Sequence, residues 1–376
     1  MESQSNIIRI FRRFKLSFKT KPKVDLNQHP NPLKFFNFFS FLFGICLSIK
    51  EKFILTRLVH RIHAFIIIKN ALNKITDILF HLKSFPKIWQ INLMSFFVTQ
   101  IMFTVWIHLF GHNLLIFHRK LSRNLSSKQL KIIRIVSIIG WTQVLVDRVS
   151  FAFIHSNNNY LEVRSFIGTF LSKEYLNDLI DQVLQAIFIN HFLMSTWIYL
   201  LFLIAFYYFC LNSMVNLRCC FTSKSIIRLT REMNTYLNML NTLSVVPFFL
   251  ICPHLFISLP AYASYIKNRS VSFFELKITE WVKIQYITCI MIIVFTVTVF
   301  RRNLEEERKR LIHEILKSFE GELNMTIEWK VCLFKISDKN LFHFSVLSLF
   351  PINFILILSY TSALINFSIL FINLEN

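Results

Sequence analysis

Apolar residues in this chain come in long blocks, and seven of the blocks read as membrane spans: Phe35 to Ile49, Ile91 to Phe117, Ile132 to Ile154, Leu184 to Leu211, Val246 to Ile266, Ile284 to Phe300, and a terminal one. A bilayer core takes about 20 helical residues. The last block, Leu341 to Ile372, is too long for one straight span and holds Pro351. Proline removes an amide donor and disfavours helix at the residue before it. The pattern therefore predicts a short helix over Leu341 to Phe350, a break, and a full span from Ile352 to Ile372. An eighth apolar region, Phe53 to His81, carries Arg57, Arg61, Lys69 and Lys74 and reads as a basic amphipathic or partly inserted helix at the surface.

Within the terminal span, Ser359, Ser362 and Asn366 fall at i, i+3 and i+7, one face of a helix whose other faces are Ile, Leu and Phe. An amide is costly to aim at lipid and far less so to aim at water or a partner helix. Helix packing is the plainer account of such a ladder, because small polar residues let membrane helices approach and bond. Lining an aqueous path is the sharper one.

Composition agrees with the blocks. Of 376 residues, 54% are hydrophobic, mean hydropathy is +0.49 and only 5 residues are Gly, which excludes a soluble globule with ordinary loops. Phe, at 43 residues, is in large excess. The first 30 residues lack an apolar core, so no cleavable signal peptide is expected.

Charge sets an expected orientation. Arg9, Arg12, Arg13, Lys15, Lys19, Lys21, Lys23 and Lys34 face only Glu2 and Asp25 before the first span, and His118 to Lys131 holds five basic residues and no acid. Between the third and fourth spans Glu162, Glu174, Asp178 and Asp181 outnumber Arg164 and Lys173. A cytoplasmic N-terminus and an extracellular C-terminus satisfy most loops, with Phe53 to His81 as the objection. The net charge of +21 is then juxtamembrane, met by lipid headgroups, and calls for no nucleic acid.

No Gly-rich phosphate loop, zinc-type Cys/His spacing or nucleophile elbow is present, so neither an enzyme, a cofactor nor a metal is expected. The seven cysteines form no disulfide framework. Among the sequons, only the one at Asn268 falls where glycosylation is expected.

After the sixth span, Arg301 to Lys317 is the most charged segment. Glu305–Lys309 and Glu306–Arg310 stand at i,i+4, while Leu304, Leu311, Ile315 and Phe319 form an apolar stripe that predicts packing on a neighbour. A solvated extension of the span is the alternative.

Ser359-Tyr360, five mostly small or apolar residues, then Asn366-Phe367 resembles the terminal signature of insect gustatory receptors, a Thr-Tyr pair, five hydrophobic residues and Gln-Phe in the seventh transmembrane helix. Ser359 stands for the threonine and Asn366 for the glutamine; Tyr360 and Phe367 match. Pro32-Leu33 through Gly44 is similar to the entry of that family's first helix, and Arg301 to Phe319 to its charged continuation of helix six. The resemblance implies an all-α membrane protein of seven transmembrane helices, the last broken near Pro351. It divides the chain into a cytoplasmic N-terminus (1–34), a six-helix ligand-binding region (35–300, with the 53–81 segment inside it), a cytoplasmic anchor (301–351) and a pore-lining helix and tail (352–376). It implies a ligand-gated non-selective cation channel for small organic tastants in the plasma membrane, a homotetramer or a hetero-oligomer with other gustatory receptors, with Ser359, Ser362 and Asn366 facing the pore.

In that orientation the outer halves of the spans carry Trp89, Gln90, Asp147, His191, Tyr262, Tyr265, Trp281, Gln285 and Tyr286, aromatic walls with a few polar groups that suit a small ligand. Each is also explained by packing or by the aromatic belt at the membrane boundary. Two rivals stand beside the channel. A transporter would also put polar residues and a broken helix at mid-membrane, but no second broken helix occurs in a matching half. A metabotropic heptahelical receptor is suggested by Asp147-Arg148-Val149, which is similar to the Asp-Arg-Tyr of that class, yet the charge bias places it on the outer side.

Overall fold

The computed structural model describes residues 54–80, 87–122, 125–155, 174–219, 222–244, 248, 273–319, 326–338, 341–346 and 350–374. The N-terminal 50 residues, including the span at Phe35 to Ile49, lie outside them, as do Tyr262, Tyr265, Asn268 and most of Val246 to Ile266. The described chain is almost wholly helical. In order it forms α1 (Ile54–Phe80), α2 (Lys87–Ser122), α3 (Ser127–His155), α4 (Glu174–Cys219), α5 (Ser223–Leu243), α6 (Phe273–Ser318) and α7 (Ile327–Ile336). Then come β1 (Ser345–Val346), β2 (Phe350–Pro351) and α8 (Phe354–Leu374).

The bundle is built around α4. From Thr196 to Phe206 every side chain except the half-buried Ile204 is buried, as expected for a helix that is apolar on all sides. Thr196–Arg218 is also long and apolar enough to cross a membrane. Direction follows from named contacts. Gln129 and Asn212 exchange side-chain hydrogen bonds at 3.0 and 2.8 Å, while Trp197 Nε1 donates to Gln143 Oε1 at 3.1 Å, so α3 runs antiparallel to α4. Tyr207 stacks on Phe300 at 4.0 Å and Arg218 pairs with Glu307 at 2.9 Å, so α6 runs parallel to α4. A Cβ on Gly140 would lie 2.7 Å from the Trp197 ring, and the close approach of α3 to α4 therefore requires glycine there.

The Phe53 to His81 region is one continuous helix of 27 residues, about 40 Å long at 1.5 Å per residue. Its buried positions Ala64, Ala71 and Ile78 recur every seven residues against α2, and the large side chains Leu58, Ile62, Phe65, Leu72 and Leu79 point outward. Small residues at the contact let the two backbones approach.

Helix α5 escapes any search for long apolar blocks because it is amphipathic. Ile226, Leu229, Met233, Leu237 and Leu240 are buried at helical spacing, and Lys224, Arg228, Arg231, Asn234 and Asn238 face out. A reciprocal cap between Thr222 and Ser225 starts it.

The stripe expected on Arg301 to Lys317 is buried: Leu304, Leu311 and Ile315 are inaccessible, and Phe319 meets Trp329 edge-on at 5.1 Å. The solvated-extension reading is thereby excluded, and the packing is within one chain. The ion pairs differ from those expected. Glu306 pairs with Arg302, Glu305 with Arg308 and Glu307 with Arg310, and Arg218 of α4 reaches Glu307 and Glu314. Bonding to another helix selects among carboxylates that sequence spacing alone treats as equal.

The short helix expected over Leu341 to Phe350 is not formed. Ser345 pairs with Pro351 and Val346 with Phe350 in a small antiparallel hairpin, and the helix that precedes the break is α7, ending at Ile336. Two causes act together. Proline holds Phe350 extended, and α5 supplies hydrogen-bond partners to the backbone of residues 343–345, as described below. The break at Pro351 is as expected. The terminal helix begins at Phe354, where Asn353 Oδ1 accepts the amide of Leu356 at 3.0 Å as a cap.

Candidate functional site

The terminal helix α8 spans 21 residues, about 31 Å, close to the thickness of a bilayer core. Its main contact with the bundle is to α6, and Ser359, Ser362 and Asn366 are all exposed. The structure thus sets the three polar positions on one exposed helix face. Among their neighbours Leu358, Ile365, Ile369 and Leu370 are exposed too, so this helix leaves most of its described surface to other molecules. Tyr360 and Phe367 lie on α8, and their side chains are outside the described residues.

The hairpin that feeds α8 is held by α5. Asn241 Nδ2 donates to the carbonyl of His343 at 3.1 Å, and the amide of Ser345 donates to Asn241 Oδ1 at 3.0 Å. Ser244 Oγ donates to the carbonyl of Ser345 at 3.1 Å. Strand β1 therefore lies between β2 on one edge and two side chains of α5 on the other. Alternate residues of a strand bond to opposite edges. Phe344 accepts from the amide of Ile352 at 2.9 Å on the β2 side, while residues 343 and 345 turn to α5. Pro351 stands opposite Ser345, a position whose backbone groups point away from the ladder, so its missing N–H removes no bond.

A second polar contact fastens α7. Arg308, only 8% exposed, donates to the carbonyls of Ile336 and Asp338, capping the C-terminal end of α7 from α6. Cys332 Sγ donates to the carbonyl of Ser223 at 3.2 Å. Burial pushes this thiol up from its ordinary value, with Glu328 adding and Lys335 opposing. On the outward side of α7, Ile327 and Phe334 are each 80% exposed and Val331 lies between them.

The candidate ligand residues fall on described helices in part. Trp89 and Gln90 lie in the first turn of α2, Asp147 in the last third of α3, His191 in the first half of α4, and Trp281, Gln285 and Tyr286 in the first half of α6. With α3 antiparallel and α6 parallel to α4, Asp147, His191, Trp281, Gln285 and Tyr286 fall toward one end of the bundle, away from the Arg218–Glu307 end. Gln90 is partly exposed; the other side chains are outside the described residues. Beneath that end the Trp197–Gln143 bond continues to Cys289, whose sulfur lies 3.9 Å from Gln143 Nε2, joining α4, α3 and α6. Sequence reasoning missed Asn241, Ser244, Arg308 and this trio. Only the spacing of Ile226, Leu229, Met233 and Leu237 offered a signal, for the helix that carries Asn241.

No protein-family model matches the sequence, and no curated protein does. Among solved structures, the chain is similar to the insect olfactory receptor OR5 from Machilis hrabei. The TM-score is 0.59 at 12% identity, over 91% of this chain and 99% of that one. Against a structure of the same receptor in complex with eugenol it is 0.56, also at 12% identity, over 92% and 100%. The fold is that of an all-helical membrane protein. More narrowly, it is the fold of that insect olfactory receptor.

Proposed function

We propose that this protein is a ligand-gated, non-selective cation channel of the insect gustatory receptor type, opened by a small organic tastant at the plasma membrane. The observation that carries the reading is the uncovered polar ladder Ser359, Ser362 and Asn366 on α8, in a chain with a chemoreceptor fold. Four copies, alike or mixed with other gustatory receptors, would ring one such helix each around an axis. A circle of neutral amides and hydroxyls replaces part of an ion's hydration shell without strong selection among small cations. The exposed Ile327, Val331 and Phe334 of α7 supply a cytoplasmic contact between copies.

The seven crossings are α1, α2, α3, α4, the Val246 to Ile266 span, α6 and α8. Six residues join α1 to the start of α2, and the two helices pack together, which supports α1 as a crossing. Asn268, on the outer side, is the glycosylated sequon. The ligand site is placed at the outer end of α2, α3, α4 and α6, above the Trp197–Gln143–Cys289 contact. A tastant would act by binding the open arrangement more tightly than the closed one.

The test is electrical. Cells expressing the protein should carry cation current on exposure to a tastant panel. Asn366→Leu, a ring that dewets, should abolish it at matched surface expression, while Asn366→Gln should keep it with altered permeability ratios. Unaltered current in Asn366→Leu would remove Asn366 from the pore.

A further inference from the structure

The described part of α3 sorts its exposed positions by chemistry. Lys128, Lys131 and Arg134 are exposed, and one residue further on the exposed set becomes aliphatic apart from Thr142: Ile135, Ile138, Ile139 and Val146. At about 100° per residue these positions share one arc of about 140°, a single face that is basic at one end and apolar above. Helix α6 changes in the same way, with Met291, Ile292 and Phe295 exposed before Arg302 and Glu306. Tyr207, stacked on Phe300 and bonded through its hydroxyl to Asn303 at 3.3 Å, sits at that level, as aromatic residues do at a bilayer boundary.

We propose that Lys128, Lys131 and Arg134 form a docking face for the phosphate headgroups of anionic phospholipids at this boundary. The inference rests on the membrane reading above. From Lys128 to Arg134 the helix rises about 9 Å, comparable with one headgroup layer, which is about 5–8 Å thick. The charges are available: among the described residues none of the three has an ion pair, and the chain carries no acid between Asp77 and Asp147. Two arginines on this side are already engaged, Arg218 by Glu307 and Glu314 and Arg308 by Glu305. A phospholipid whose chains lie on Ile135, Ile138 and Ile139 would bring its phosphate to Arg134 and Lys131, so one ligand satisfies both halves of the face. Zwitterionic lipid fits the apolar half equally well, so the proposal turns on the added negative charge.

The test uses the full-length protein extracted from membranes and placed in neutral detergent micelles doped with dioctanoyl phosphatidylserine or dioctanoyl phosphatidylcholine, with bound lipid counted by native mass spectrometry. The wild type should retain phosphatidylserine in preference. Lys128→Ala/Lys131→Ala/Arg134→Ala should weaken that retention about five-fold per charge removed, and Lys131→Arg/Arg134→Lys should keep it. Because all three side chains are exposed, folding is unaffected, which an unchanged elution volume verifies. Lys330→Ala/Lys335→Ala on α7 should leave lipid retention as it was. The proposal is overturned if the triple variant holds phosphatidylserine as the wild type does, if the α7 variant loses it equally, if inorganic phosphate at equal concentration displaces it, or if the triple variant changes subunit number, which would make the face a contact between copies. Failure to recover the wild type in the membrane fraction would instead remove the membrane reading itself.

Discussion

Asn241 binds Ser345 as a neighbouring strand would, accepting its amide at 3.0 Å while donating to the carbonyl of His343. That one carboxamide meets two of the backbone groups on the free edge of the strand that leads into the terminal helix, and Ser244 meets a third. Asn241→Leu should leave a buried amide and a carbonyl without partners, each at a cost of roughly 1–3 kcal/mol. The expected outcome is a lower melting temperature in detergent and a weaker tastant response. Ser244→Ala, which removes the 3.1 Å bond to the carbonyl of Ser345 and the 2.6 Å bond to the carbonyl of Asn241, should give a smaller change in the same direction, because it strands no buried amide. Equal stability of Asn241→Leu and wild type would show that the hairpin holds itself.

Gly140 and Trp197 test the closeness of α3 to α4. A methyl at Gly140 meets the indole at 2.7 Å, so Gly140→Ala should destabilise by roughly 1–3 kcal/mol through overpacking. Adding Trp197→Leu opens space for the methyl but gives up the bond to Gln143. Recovery of part of the loss in the double variant, read by thermal unfolding, would assign the effect to this contact.

Two apolar stripes, one on α6 and one on α7, should respond in opposite ways. Leu311 is inaccessible within one chain, and Leu311→Asp should unfold the protomer, since an unpaired buried charge costs several kcal/mol. Ile327 and Phe334 are exposed, so Ile327→Asp/Phe334→Asp should leave the protomer folded and reduce subunit number. Mass measurement in detergent, paired with unfolding curves, separates the two. A double variant that remains an oligomer of wild-type size would take α7 out of the assembly contact.

Cys332 should be slow to alkylate. Its thiol is buried, bonded to the carbonyl of Ser223, and raised above its ordinary value chiefly by that burial. A raised value means less thiolate at neutral pH, and thiolate is the nucleophile. Maleimide labelling of folded protein should therefore lag behind that of unfolded protein, and its rate should climb as pH rises beyond neutrality. Rapid labelling at neutral pH in folded protein would contradict the packing of α7 on α5.

The sequence by itself determined the class of fold and the composition of its surfaces. Blocks of Ile, Leu and Phe near 20 residues can be satisfied only by helices buried in lipid or in one another, and Pro351 sets the break before the last of them whatever its partners do. The spacing of Ser359, Ser362 and Asn366 likewise places them on one face, because helical periodicity is a local property. Tertiary structure decided what local signals leave degenerate. Leu341 to Phe350 has the composition of a buried helix, yet Asn241, about a hundred residues away, offers its backbone better partners as a strand. The carboxylates of Glu305, Glu306 and Glu307 are interchangeable by spacing, and only Arg218 on another helix singles out Glu307. The basic residues of the first helix suggested the surface, and only the tertiary structure shows that Ala64, Ala71 and Ile78 seat it against α2. In each case the deciding energy comes from a partner distant in the chain, which no window of sequence contains.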